Sequence, residues 1–137
     1  MITPEKIRKA MGFQVKNISK HVFPQDRPNA TDSSLTDFIV VSLPYSESRK
    51  EISREDWWLD ITVVYEIYVA DKKSAGNAKR LDDDRMEELR LGVYGTFPLV
   101  DEELGIQIDE PRTVIPSSSD GNGYHFTRIQ AKMTTMV

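Results

Sequence analysis

The sequence contains no cysteine and only two histidines in 137 residues. Without a thiol there is no thiolate zinc site, iron–sulfur cluster, cysteine nucleophile or disulfide framework, and the chain suits a reducing compartment. Cations are not in excess either: 18 Lys+Arg against 22 Asp+Glu give a formal charge of −4. That balance argues against binding nucleic acid through a basic surface, which needs clustered Lys and Arg to neutralise phosphates. No apolar run approaches the roughly 20 residues that span a bilayer. Met1–Gly12 carries Glu5, Lys6, Arg8 and Lys9 where a secretory signal would be apolar, so a soluble, intracellular product is expected. The length predicts one domain over 1–137, large enough to bury an ordinary core.

What the sequence does have is periodicity. Thr3-Pro4-Glu5 reads as an N-cap with proline at the first helical position, and Ile7, Ala10, Met11, Val15 and Ile18 mark one helical face, predicting a helix to about Lys20. Phe23–Thr36 is polar and broken by Pro24 and Pro28, which predicts a long loop. Phe38–Leu43 is a short β-branched run before Pro44, the pattern of a strand covered on both faces. Tyr45–Asp56, dense in charge, reads as a solvated connection. Trp57–Ala70 then alternates strictly, with Trp57, Leu59, Ile61, Val63, Tyr65, Ile67 and Val69 on one face. A strand of that length would run to about 45 Å, so it must bend or project.

Ser74 or Asn77 can cap a second helix over Ala78–Phe97, with Leu81, Met86, Leu89 and Val93 inward and the run Asp82-Asp83-Asp84 suiting the positive end of its dipole. Ile106–Ile108 and Thr113–Ile115 are two short strand candidates around Pro111. Asp120-Gly121-Asn122-Gly123 is a hairpin turn signal before a last amphipathic strand, Tyr124–Val137. The expected fold class is α+β: a mainly antiparallel mixed sheet of about four or five strands with two helices on one face.

Candidate chemistry is sparse. Asp84, Glu87 and Glu88 lie within one helical turn and offer hard-cation ligands, yet they sit at a helix start, where carboxylates serve the dipole, and they lack a calcium-loop spacing. His21 and His125 stand in no nucleophile or metal constellation. The Gly121/Gly123 turn lacks the Lys-Ser/Thr end of a phosphate loop. No cofactor or metal is called for. Trp57 and Trp58 point to opposite sides of a strand, so one is either an exposed anchor or is covered by a second layer. Exposure logic selects Trp58, Tyr68, Arg49, Lys50 and Arg54 as interface candidates, the three cations lying in a mixed-charge stretch with Glu47, Glu51, Glu55 and Asp56. Long strands and polar segments without a catalytic set suit assembly better than catalysis.

The order of elements over nearly the whole chain resembles the tail terminator, or tail completion, proteins of long-tailed bacteriophages, the lambda-like minor tail proteins. The features that carry the likeness are the opening helix Thr3–Lys20, the Phe38–Pro44 strand, the charged connection, the Trp57–Ala70 strand, the Ala78–Phe97 helix and a closing strand after a Gly/Asp turn. The resemblance implies a non-enzymatic subunit of a phage or prophage tail, assembled in the bacterial cytoplasm into a hexameric ring. Such a ring caps the tail tube protein and meets the head–tail connector, with DNA only as passing cargo. Six copies at −4 each would carry −24, suiting a channel that passes DNA without gripping it. The segments Phe23–Thr36 and Leu99–Ser119 depart from the family layout. Another head–tail joining protein, or a small metal-dependent enzyme or ligand-binding domain using Asp84, Glu87 and Glu88, is the alternative.

Overall fold

A computed structural model describes residues 3–24, 35–43, 61–73, 79–80 and 82–135. Helix α1 spans Pro4–Val15 and opens as the sequence predicts: the Thr3 hydroxyl accepts from Lys6 N–H at 3.2 Å and Pro4 occupies the first turn. It stops five residues before Lys20. The chain turns at Lys16, and Ile18 leaves the helix to press on the face of a second helix where Gly92 has no side chain; a Cβ there would meet Ile18 at 3.1 Å.

Among the described residues, six strands form one mixed sheet in the order β1-β2-β3-β8-β7-β6. They are β1 (Val22–Pro24), β2 (Asp37–Ser42), β3 (Ile61–Ala70), β6 (Leu99–Asp101), β7 (Ile106–Ser119) and β8 (Tyr124–Thr135). Between β3 and the second helix, β4 (Lys72–Lys73) and β5 (Lys79–Arg80) make a small separate ladder. Among the described residues only β1 and β2 run parallel, and every other pairing is antiparallel. Helix α2 covers Asp83–Tyr94 and is capped by Asp82, whose carboxylate accepts from Arg85 N–H at 3.3 Å, with Asp83 and Asp84 in its first turn. The acidic run therefore supplies the cap expected from Ser74 or Asn77.

The fold is α+β, with six strands in the main sheet where about four or five were expected. Three strand expectations are corrected. Phe23 and Pro24 belong to β1 and not to a loop, because Val22–Pro24 pairs with Ile39–Val41. Leu99–Asp101 forms β6 against Ile106–Ile108. The two short strands around Pro111 are one fourteen-residue β7, which accommodates Pro111 and Pro116 through three register shifts against β8 and a positive φ of 57° at Glu110. Residues 25–34 and 44–60, including Trp57, lie outside the described residues.

Both helices among the described residues pack on one sheet face. Ile7, Met11 and Val15 of α1 and Met86, Leu89 and Val93 of α2 meet Ile39, Val41, Val63, Tyr65, Ile67, Ile129 and Met133, all but fully buried. Helix α1 touches β1 and β2 and, at the far side of the sheet order, β6, so the sheet curls around it. The Tyr65 phenol, pushed up by burial, donates to Gln14 Oε1 at 2.5 Å, and Gln14 in turn donates to Thr96 at 2.9 Å. These bonds tie β3 to α1 and to the end of α2.

Arg8 lies on the buried side of α1, 7 % exposed, and its Nη1 has no hydrogen-bond partner among the described residues. An unsatisfied buried donor costs stability that an apolar side chain of similar length does not. Arg8→Met should therefore raise the unfolding free energy by about 1 kcal/mol, read as a higher midpoint in urea.

Candidate functional site

The sheet face away from the helices is where the structure departs most from a simple amphipathic plan. Cross-strand register brings Phe38, Tyr68 and Phe126 into one row over β2, β3 and β8. Phe38 stacks on Tyr68 with centroids 4.6 Å apart and 8° between planes, and Tyr68 stacks on Phe126 at 5.4 Å. Phe23 and Tyr124 meet Phe38 edge-on at 5.6 and 5.2 Å. Val40, Leu35 and Ala70 complete a second, smaller core. The Tyr124 hydroxyl donates to the Leu35 carbonyl at 2.8 Å. One step along the sheet, Arg128 reaches Glu66 through Nε at 3.1 Å and Nη2 at 2.9 Å, a forked pair on the directly opposed positions. Nearer the turn, His125 Nδ1 lies 2.5 Å from Asp71 Oδ1, and the Asp120 carboxylate accepts from Asn122 and Tyr124 N–H, making the predicted hairpin turn.

A polar node joins the start of β2 to the α1–β1 turn and to α2. Asp37, 5 % exposed, accepts from Ser19 at 2.6 Å, from Thr36 at 3.3 Å and from Arg85 through Nε at 3.1 Å and Nη2 at 2.7 Å. Burial alone raises this carboxyl, but the bonds from Ser19 and Arg85, the Arg85 charge and the bond from Thr36 together hold it below the usual carboxylate value. Arg85 is raised above its ordinary value chiefly by the bond to Asp37. Lys16, Lys20 and His21 border the recess over this node. With every donor committed and the carboxylate held ionised, Asp37 is suited to anchoring the α1–β1 turn against α2, not to shuttling protons near neutral pH.

Of the sequence-selected interface residues, Tyr68 is half-buried at the centre of the aromatic row. Trp58, Arg49, Lys50 and Arg54 lie outside the described residues. The candidate ligands are dispersed into helix-surface pairs: Glu87 binds Arg90, which holds its carboxyl below the usual value, Glu88 binds Arg85 at 3.2 Å, and Asp84 stands in the first turn. Among the described residues no group of three or more His, Asp or Glu is placed to hold a metal ion. His21 is exposed beside Ser19, and His125 belongs to the Asp71 pair.

No known protein family matches this sequence, and no curated protein matches it.

Two features escape sequence reasoning. The Asp37–Arg85 node joins residues 48 apart, and its only trace is an aspartate directly before an apolar strand. The outer edge of β7 is the second. β6 covers only Ile106–Ile108, and beyond it residues 109–119 pair on one side only among the described residues. Pro111, Pro116, the register shifts and the alternating exposure of Glu110, Arg112, Val114 and Pro116 break up this edge. Proline, bulges and charge are the devices that stop a bare edge from recruiting further strands.

Proposed function

We propose that this chain is a structural assembly subunit of the tail-terminator type, forming a ring that closes a tail tube and offers a surface to the head connector. The observation that carries this reading is the blunted β7 edge on a curled six-stranded sheet. A subunit that ends polymerisation must bind its neighbours side to side while denying the next copy a strand edge to extend. Three-residue β1, which ends in Pro24, and three-residue β6 are the two ends of the sheet order, and proline-broken β7 meets that requirement where it runs on past β6. The layering supports it too: an opening helix, a covered strand, a long alternating strand, a second helix and a closing strand after a Gly/Asp turn follow the order the resemblance implies.

Electron microscopy of the purified chain, alone and with tail tubes encoded by the same genome, tests the reading. Rings, or caps confined to one end of the tubes, are expected. A chain that ignores tubes at high concentration and instead gains melting temperature with Mg²⁺ would overturn it in favour of metal-dependent chemistry at Asp84, Glu87 and Glu88.

A further inference from the structure

The two helices carry matching outer stripes of opposite charge. On α1, Lys6, Lys9, Ala10 and Phe13 fall at helical offsets 0, 3, 4 and 7; on α2, Asp84, Glu87, Glu88 and Leu91 fall at the same offsets. Each stripe ends in an exposed large hydrophobe. Phe13 is 69 % and Leu91 56 % exposed, the two highest values for large apolar side chains among the described residues. Phe13, with Lys16 Nζ 3.8 Å over its ring, forms one wall of an open groove of about 780 Å³ between α1 and β6. Val100 is exposed in the same groove, Lys6 and Lys9 line the helix side, and Asp101 and Glu103 line the far wall. Lys9 and Asp84 make no ion pair among the described residues, and Glu87 and Glu88 keep side chains 53 % and 70 % exposed despite their intrahelical partners.

We infer that the α1 side of this groove in one copy meets the α2 stripe of a second copy of this chain, Leu91 packing beside Phe13 while Lys6 and Lys9 face Asp84 and Glu87, away from the acidic far wall of Asp101 and Glu103. Parallel alignment of the helices satisfies both at once, because in each the charges precede the hydrophobe. The contact joins two different patches, as a closed ring requires, so the inference deepens the ring reading and rests on it for its symmetry. Twelve-residue helices are about 18 Å long, so the strip is only about 200 Å² per partner against roughly 800 Å² in a stable pair. One such contact is weak. It needs ring closure, a tube template or a reciprocal copy of itself to persist.

Sedimentation of the full chain at rising concentration, in about 20 mM and about 500 mM salt, tests this. Wild-type average mass should climb with concentration in low salt and return toward 15.7 kDa in high salt. Lys6→Glu/Lys9→Glu makes both stripes acidic, and Asp84→Lys/Glu87→Lys makes both basic. Each variant alone, folded by circular dichroism, should lose self-association by about tenfold or more. An equal mixture of the two restores both complementary contacts and should associate to within about threefold of wild type. Variants that self-associate like wild type, or a mixture no better than its parts, would overturn the inference. A charge-dependent assembly that closes as a dimer would uphold the inference and sink the ring. Rings indifferent to both variants would do the reverse.

Discussion

Phe38→Ala should cost about 3–5 kcal/mol of stability, a fall of about 10–20 °C in melting temperature for a chain of this length. Phe38 is fully buried and meets Phe23, Tyr68 and Tyr124 by ring contacts, so truncation removes transfer free energy, leaves a cavity and deletes three aromatic pairs together. Phe38→Leu keeps much of the volume and should lose less than half as much. A cost below about 1 kcal/mol for the alanine variant would mean that the second sheet face collapses freely and is not a core.

Asp37→Asn should lower stability by about 2–3 kcal/mol near neutral pH. The amide keeps an acceptor for Ser19 but loses the charged fork to Arg85. The cost falls short of a fully buried pair because the Arg85 side chain is 37 % exposed and regains water. The sign with pH follows from the lowered carboxyl of the folded chain. The unfolded chain takes up its proton first, near 3.9, so the wild-type advantage is complete above about pH 5 and disappears as pH falls through the folded value. Urea melts of both chains at pH 7, 5, 4 and 3 should therefore converge. A gap that stays constant or widens on acidification would show that the node is not stabilised by its charge.

Much of the fold was legible because local pattern and tertiary role agree. Phe38–Val41 reads as a strand covered on both faces and is one, with Ile39 and Val41 in the main core and Phe38 and Val40 in the second. The alternation of Ile61–Val69 selects the helix-facing side correctly, and Asp120–Gly123 turns where Gly121 and Gly123 take positive φ. The failures share a cause. β1 and β6 are three residues each and owe their conformation to the strands they pair with, which no local window contains. β7 hides behind two prolines that an edge strand with bulges tolerates.

The candidate surfaces were less legible than the fold. Period-two reading places Tyr68 opposite the apolar face of its strand, but only the register of β2, β3 and β8 reveals that Tyr68, Tyr124 and Phe126 gather around Phe38. The charged stripes were present in the sequence as Asp84, Glu87 and Glu88, read there as helix-dipole partners or metal ligands. Their complement in Lys6 and Lys9 is visible only once both helices are known to lie on one sheet face and to leave these sides outward.

Native mass spectrometry of the chain over rising concentration, with and without tail tubes from the same genome, is the most direct test of assembly as its role. A closed species of one defined size, about six copies, is the predicted result. A monomer under every condition, tubes included, would contradict it.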